Sequence, residues 1–171
     1  MTPYHPLVTT ITNLLDAKGV GYKTFTHEAV RTSAEAATVR PEYSLAQGAK
    51  ALIVRLKKKT KDEASVDASG KQFVQLVVPG DKKFSATKVK QELSATDIRF
   101  ATTEEVSQIT DGVMPGGVPP FGNLFGLSVY LDESVTHQEE IIFNAGDRRF
   151  SIALTLPDYL GVVKSTIVRI V

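Results

Sequence analysis

The chain of 171 residues contains no cysteine, and this absence restricts its possible architectures more than any other feature. It excludes a disulfide framework, zinc sites built on thiolates, iron–sulfur clusters and every mechanism that uses a cysteine nucleophile. Hydrophobic residues make up 42% and charged residues 23% of the chain, which is typical of globular proteins and not of disordered or fibrous ones. We therefore expect a single folded domain over residues 1–171.

Histidine occurs only at His5, His27 and His137, and their spacings match no metal-binding pattern. The chain also lacks the GxxxxGK(S/T) pattern of phosphate-binding loops and the GxSxG pattern of serine hydrolases. We therefore expect no metal and no cofactor. No apolar stretch approaches the ~18 residues of a membrane helix, and the N-terminus lacks the layout of a secretory signal. These features favour a cytoplasmic protein without membrane contact.

Hydrophobic spacing and turn residues predict an α/β chain. Thr32 and Thr102 each begin a capping-box pattern that opens a helix, and we assign Glu104 and Glu105 to capping rather than to catalysis. Further helices are predicted over residues 6–18, after Ser85 and from Pro157. Strands are predicted at residues 22–26, 49–57, 72–78, 98–100, 127–131, 141–144, 150–155 and 167–171. Because helices and strands alternate irregularly, we expect a mixed, curled sheet flanked by helices.

Basic residues are concentrated in one segment, although the net charge of the whole chain is only +1. Residues 50–90 contain eleven Lys or Arg against four Asp or Glu. A segregated basic segment attracts polyanions, so the lysine run at residues 57–61, together with Lys82 and Lys83, favours contact with nucleic acid. A solvated lysine-rich loop is the alternative interpretation.

Lys50 begins the strand predicted at residues 49–57 and shares a face with Leu52, Val54 and Leu56. A lysine on an apolar face costs desolvation free energy unless its ammonium group reaches solvent or meets an anion. Two interpretations are open: a lysine that reaches solvent at the strand end, or an anion-binding lysine at the rim of a pocket.

The loop at residues 111–123 contains four glycines and three prolines. Proline fixes φ and glycine permits close approach of a ligand to the backbone, so the loop is constrained and accessible at once. Such a loop can present several N–H groups to a negatively charged oxygen. A structural crossover between a helix and a strand is the alternative.

Six short segments of the sequence occur in a characteristic order and spacing. They are His27 with Thr32 and Glu35-Ala36-Ala37, Gly48-Ala49-Lys50-Ala51-Leu52, Val78-Pro79-Gly80-Asp81, Arg99-Phe100-Ala101-Thr102, Gly116-Gly117-Val118-Pro119-Pro120-Phe121-Gly122, and Phe143-Asn144-Ala145-Gly146-Asp147-Arg148. Together, over roughly residues 22–160, they resemble the YbaK/prolyl-tRNA-editing domain family. No single segment is specific, whereas their order is.

The resemblance implies a single α/β domain with a mixed, barrel-like sheet, and hydrolysis of the ester of wrongly charged aminoacyl-tRNA. Family members are free-standing proteins or domains attached to prolyl-tRNA synthetase, so the implied partners are mischarged tRNA and an aminoacyl-tRNA synthetase. The strand lysine of the family corresponds to Lys50, and its GxxxP loop corresponds to Gly116 through Pro120. Ser151 stands where family members often carry Asp, and another branch has a histidine within residues 144–146. Both departures bear on which amino acid is removed.

In the mechanism that the resemblance implies, the vicinal hydroxyl of the terminal adenosine orients a water, and no nucleophilic side chain is needed. Lys50 holds the terminal phosphate or ribose region. The backbone amides of Gly116, Gly117 and Val118 bind the carbonyl oxygen. For His27, a proton shuttle and a packed or surface histidine are both open. The full set of expected substrate contacts is His27, Thr32, Pro120, Phe121, Gly122, Asn144 and Gly146.

Three functions from different classes follow from these observations. The resemblance favours an aminoacyl-tRNA deacylase that acts in trans. The alternatives are a noncatalytic module that binds tRNA or a synthetase, and a small-molecule hydrolase that uses the same pocket. Deacylation assays with several mischarged tRNAs distinguish them.

Overall fold

The computed structural model describes residues 2–58 and 70–171, and this part of the chain forms five α-helices and eight strands. The helices are α1 (Leu7–Ala17), α2 (Ser33–Val39), α3 (Ala86–Glu92), α4 (Thr103–Thr110) and α5 (Leu156–Val162). The strands are β1 (Lys23–Thr26), β2 (Ala49–Lys58), β3 (Lys71–Pro79), β4 (Ala95–Phe100), β5 (Val129–Asp132), β6 (Glu140–Asp147), β7 (Phe150–Thr155) and β8 (Thr166–Val168). Within the described ranges, no helix has the length and apolar character needed to cross a membrane.

The strands form two sheets, one with the order β1-β7-β6 and one with the order β4-β2-β3-β5-β8. The larger sheet is mixed, because β2 runs antiparallel to β3 and β4, whereas β5 runs parallel to β3 and β8. The expectation of a mixed α/β fold is confirmed. The expectation of one curled, barrel-like sheet is wrong, because β4 and β8 remain open edges. Among the described residues, a single bridge between Gly48 and Ile142 joins the two sheets.

Side-chain caps begin the helices where the sequence predicts them. Thr102 and Glu105 form a complete capping box, since each side chain accepts a hydrogen bond from the backbone N–H of the other residue. Thr32 caps α2 by accepting from the backbone N–H of Glu35, but the Glu35 carboxylate accepts from Arg31 N instead of completing the box. The last strand ends at Val168, earlier than predicted, because the two residues that close the chain donate their backbone N–H groups to the Asp132 carboxylate.

Strand β2 is buried on both faces in its middle. Val54 and Leu56 lie in one hydrophobic cluster with β3 and α3. Ala51 and Ile53, on the opposite face, lie in the larger cluster that contains α1, β6 and β7. The sequence pattern predicts as apolar only the face that carries Val54 and Leu56. Packing on both sides fixes the backbone that carries Lys50.

Gln75 on β3 holds the glycine- and proline-rich loop against the sheet. Its side chain is fully buried, its Nε2 donates to the carbonyl of Pro119 at 3.0 Å, and its Oε1 accepts from the Gly122 N–H at 2.9 Å. The hydroxyl of Tyr159 on α5 donates to the carbonyl of Pro120 at 2.6 Å. These three bonds satisfy buried backbone groups that belong to no strand or α-helix.

We predict that Gln75→Leu destabilises the protein more than Tyr159→Phe. The first change leaves the buried N–H of Gly122 without a partner, at roughly 1–3 kcal/mol, and also removes one of the two bonds to the Pro119 carbonyl, which keeps its bond from Phe121 N. The second change removes a single bond to a carbonyl, at about 1 kcal/mol. Urea unfolding of both variants measures the difference. Equal losses of unfolding free energy would show that Gln75 does not anchor the loop.

Candidate active site

A cavity of about 430 Å³ opens between the two sheets. Its walls are helix α2, the turn that precedes β2, the first residues of β2, the Pro115–Gly117 turn and the middle of β6. Of the residues expected to form a site, the cavity brings together Lys50, Thr32, Gly116, Val118 and Asn144.

One wall of the cavity is an unpaired edge of β2. Gly80 N donates to Gly48 O and Lys58 N donates to Gly70 O, so the even-numbered residues of β2 exchange backbone hydrogen bonds with β3. The backbone N–H and C=O of Ala51 therefore point to the opposite edge. Strand β4 covers that edge only from Val54 onward. The sheet thus leaves main-chain groups of its own available at the cavity wall.

Lys50 is half-buried at this wall, and its Nζ donates to the carbonyl of Lys82 at 2.8 Å. Burial lowers the pKa of its ammonium group, and the nearby charge of Lys83 acts in the same direction, against the opposing effect of Asp81. An ammonium that has lost part of its hydration and holds only a neutral carbonyl gains free energy from an incoming anion.

The Pro115–Gly117 turn presents fewer free amides than its sequence suggests. Gly117 N donates to Met114 O at 2.8 Å, and Val118 N donates to Pro115 O at 3.4 Å. Both amides are therefore engaged within the turn. The amide of Gly116 has no hydrogen-bond partner among the described residues. Of the three amides expected to meet a carbonyl oxygen, only this one is free to do so without rearrangement of the turn.

A chain of polar side chains lies behind the cavity. Ser151, fully buried on β7, contacts His27 Nε2 at 2.6 Å, Arg40 Nη1 at 3.1 Å and Asn144 Oδ1 at 3.2 Å. Asn144 Nδ2 in turn donates to the carbonyl of Gly116 at 2.8 Å. The network therefore connects Arg40 and His27 with the turn that carries the free amide.

Proton counting fixes the direction of the bond between His27 and Ser151. His27 Nδ1 lies 2.8 Å from the carbonyl of Glu28, which can only accept, so Nδ1 carries the proton. Burial lowers the pKa of His27, and the charge of Arg40 adds to this, against the effects of the Glu28 carbonyl and Asp147. The imidazole is therefore neutral near pH 7, and its Nε2 accepts the single hydroxyl proton of Ser151 at 2.6 Å, so the longer approach of Ser151 to Asn144 Oδ1, at 3.2 Å, is a polar contact without that proton.

All charged residues that line the cavity are basic. They are Arg31, Arg40 and Lys50, and no Asp or Glu of the described ranges contributes to the lining. Arg40 is only 8% exposed, and burial lowers its pKa to about 10. The cavity therefore favours a ligand with negative or electron-rich oxygen atoms. Among the described residues, no group of three or more His, Cys, Asp or Glu is arranged to hold a metal.

Other residues expected to contact substrate lie outside the cavity lining. Phe121 is fully buried in the core, where its ring packs against Phe143 and Tyr159. Pro120 and Gly122 belong to the loop segment that Gln75 and Tyr159 hold.

Four further candidates have structural partners of their own. His27 reaches the cavity only through Ser151. Gly117 and Gly146 line a separate cleft of about 310 Å³ on the other side of the turn. At Gly146, φ is +99° and a Cβ would lie 2.8 Å from Leu7, so glycine is required for α1 to pack there. Thr32 does line the cavity, but its hydroxyl already caps α2.

The lysine-rich segment is only partly a solvated charge run. Lys57 is exposed, whereas Lys58 is buried and its Nζ donates to the carbonyl of Leu93 at 2.7 Å. The remainder of the expected run, residues 59–61, lies outside the described residues. Lys82 and Lys83 are exposed beside Lys50.

Arg40 is the residue that the sequence analysis missed. It closes α2, seven positions after Ser33 and four after the buried Ala36, so helical spacing places it on the buried face. A basic residue on that face is the signal that could have identified it.

The comparisons agree with this geometry. A family model described as an aminoacyl-tRNA editing domain matches residues 27–162, and the chain belongs to that family. Over 158 residues it is 28% identical to the multifunctional Ser/Thr-tRNA deacylase ProXp-y of Escherichia coli K12, covering 91% of this chain and 87% of the relative. Over 99 residues it is 33% identical to a proline–tRNA ligase of Caldicellulosiruptor bescii, covering 57% of this chain but only 17% of the ligase.

Solved structures show the same fold. The crystal structure of a putative trans-editing enzyme for prolyl tRNA synthetase superimposes with a TM-score of 0.77 at 24% sequence identity, and 98% of each chain is covered.

We predict that His27 contributes to the loss of stability in mild acid. Folding favours its neutral form, whereas in the unfolded chain it titrates near its ordinary pKa of about 6.5. The unfolded state therefore binds the proton first, and stability falls as the pH drops through that value. Urea unfolding at pH 7.5 and 5.5 should show a smaller loss for His27→Gln than for the wild type. An identical loss in both proteins would contradict this role.

Proposed function

We propose that this protein is an aminoacyl-tRNA deacylase that acts in trans: it hydrolyses the ester between a wrongly attached amino acid and its tRNA. The proposal rests on one observation: the half-buried Lys50 ammonium and the free amide of Gly116 lie in the walls of the same cavity. Membership of the aminoacyl-tRNA editing family supports the same activity.

The chemistry needs no nucleophilic side chain. Water attacks the activated ester carbonyl, and the tetrahedral intermediate then expels the ribose oxygen, which leaves as a hydroxyl after taking up a proton. The Gly116 amide stabilises the oxyanion, a contribution of ~2.7–4 kcal/mol for one donor, while positioning of water and ester supplies up to ~7–11 kcal/mol. The vicinal hydroxyl of the terminal ribose orients the water. Lys50 holds the phosphate or ribose next to the ester.

Exposed lysines beside the cavity guide the RNA. Lys82 and Lys83 adjoin Lys50 through the carbonyl that Lys50 binds, and their charges attract phosphates without base specificity. Lys58, with its ammonium group bonded to Leu93, has no part in this attraction.

The E. coli relative is a Ser/Thr-tRNA deacylase by name, which suggests seryl- and threonyl-tRNA as the first substrates to assay. Similarity to part of a proline–tRNA ligase supports an association with tRNA charging, so a synthetase remains a proposed partner.

We predict that Lys50→Ala abolishes or strongly reduces deacylation and leaves the fold intact, because Val54 and Leu56 supply the packing of the strand. Single-turnover hydrolysis of mischarged tRNA, with thermal unfolding alongside, measures both effects. Lys57→Ala is the matched control, since Lys57 is an exposed lysine on the same strand.

Full activity in a folded Lys50→Ala protein would contradict the assignment. A wild-type protein that binds tRNA but hydrolyses none of a panel of mischarged tRNAs would instead be a noncatalytic binding module.

We also predict that Gly116→Ala lowers kcat more than Gly117→Ala. A Cβ on Gly116 would lie 3.2 Å from Arg148 Cδ and 3.3 Å from the backbone oxygen of Arg31, so the neighbours or the turn have to give by a few tenths of an ångström, and we expect the free amide to be displaced. A Cβ on Gly117 would meet its nearest neighbours at 3.5 Å, an ordinary contact, and the Gly117 amide is already engaged. Steady-state kinetics on one mischarged tRNA compares the two variants. Equal kcat values in both would show that the Gly116 amide is not the oxyanion donor.

A further inference from the structure

Arg40 is a buried cation without an anionic partner. Its Nε donates to the carbonyl of Ala36 at 3.3 Å and its Nη1 to the hydroxyl of Ser151 at 3.1 Å, so both acceptors are neutral. No ion pair within the described ranges includes Arg40, and its Nη2 has no hydrogen-bond partner there. The side chain is nevertheless 92% buried, being 8% exposed, and it lines the cavity.

A buried guanidinium without an anionic partner lacks the acceptor that would offset its loss of hydration. Buried charges in proteins are normally paired, because removal from water is costly without an electrostatic partner. Arginine also has five donors in a rigid fork that matches oxygen acceptors. Since the lining provides no carboxylate, the missing acceptor comes with the ligand.

The position of Arg40 limits which part of the substrate can reach it. Lys50 serves the phosphate or ribose next to the ester, and the exposed lysines serve RNA phosphates that remain hydrated outside the cavity. Arg40 instead lies behind Gly116 and is connected to it by contacts through Ser151 and Asn144. Only the groups next to the ester extend that far. The α-amino group is cationic and is repelled by a guanidinium.

We propose that Arg40 determines the specificity of this deacylase, by donating from Nη2 to an oxygen atom in the side chain of the amino acid that is removed. Amino acids with a hydroxyl or carboxylate side chain are then hydrolysed faster than those with a purely apolar one. Ser151 holds the guanidinium in place through Nη1. This inference rests on the proposed deacylase function and assigns the amino-acid end of the same site.

The test uses the wild-type protein and one tRNA charged separately with serine, threonine, alanine or aspartate. Serine and alanine differ by a single side-chain oxygen, so we expect kcat/KM for serine to exceed that for alanine by at least about 10-fold. If aspartate is hydrolysed faster than serine, the acceptor is a carboxylate, which also supports the proposal. Equal rates for serine and alanine, within about 2-fold, with aspartate no faster, would overturn it. No hydrolysis of any amino acid would instead overturn the deacylase function itself.

Variants of Arg40 test whether this residue causes the difference in kcat/KM between serine and alanine. Arg40→Met keeps the length of the side chain without its donors, and we expect the ratio of serine to alanine to fall close to 1. Arg40→Lys keeps the charge and should retain part of the ratio. Arg31→Met is the matched control, because it removes a cavity cation that does not contact Ser151, and it should leave the ratio unchanged.

Ser151→Asp provides a second route if Arg40→Met does not fold. The new carboxylate would pair with Arg40 inside the protein, so the ratio of serine to alanine should again fall. An unchanged ratio in folded Arg40→Met, or in Ser151→Asp, would overturn the assignment. A uniform loss for all amino acids would mean that Arg40 contacts the ribose or the ester, which also contradicts a role in side-chain selection.

Discussion

The cavity exists because the larger sheet is incomplete along one edge. Strand β4 pairs with β2 from Val54 onward, so between the bridge at Gly48 and Val54 the described residues place β3 on one side of β2 and no paired strand on the other. Burial of Ala49, Ala51 and Ile53 on one face, and of Val54 and Leu56 further along on the other, nevertheless anchors this part of β2. An anchored strand with an open edge offers fixed main-chain groups and a fixed Lys50 to a ligand. The other walls of the cavity, formed by α2, the Pro115–Gly117 turn and β6, surround this unpaired stretch of β2.

Two sets of side-chain hydrogen bonds hold the glycine- and proline-rich loop in position. Gln75 fixes its second half to the sheet, and Asn144 fixes its first half through the carbonyl of Gly116. Proline supplies no N–H donors in this segment, so its backbone depends on amide side chains from neighbouring strands. A catalytic amide in a loop needs such support, because small displacements of a donor reduce its effect on the transition state.

Local patterns predict the elements well and their assembly less well. The caps at Thr32 and Thr102 and the strand that carries Lys50 follow from neighbouring residues in the sequence. The barrel-like expectation comes from the family resemblance and is wrong, because β4 and β8 remain open edges. Closure of a sheet depends on pairing between distant strands, which local patterns do not encode either. The same limit applies inside the site. Whether the amide of Gly117 points outward or bonds to Met114 is decided by the turn, and glycine permits both.

All charged groups in the cavity walls are cationic, so the cavity favours the binding of small anions. Inorganic phosphate and sulfate carry the same oxygen geometry as the RNA backbone and enter without the cost of ordering a macromolecule. We therefore expect buffers that contain them to compete with substrate at Lys50 and Arg40 and to reduce measured rates. The same property makes such anions useful as additives for crystallisation, because they neutralise the guanidinium that this fold leaves unpaired.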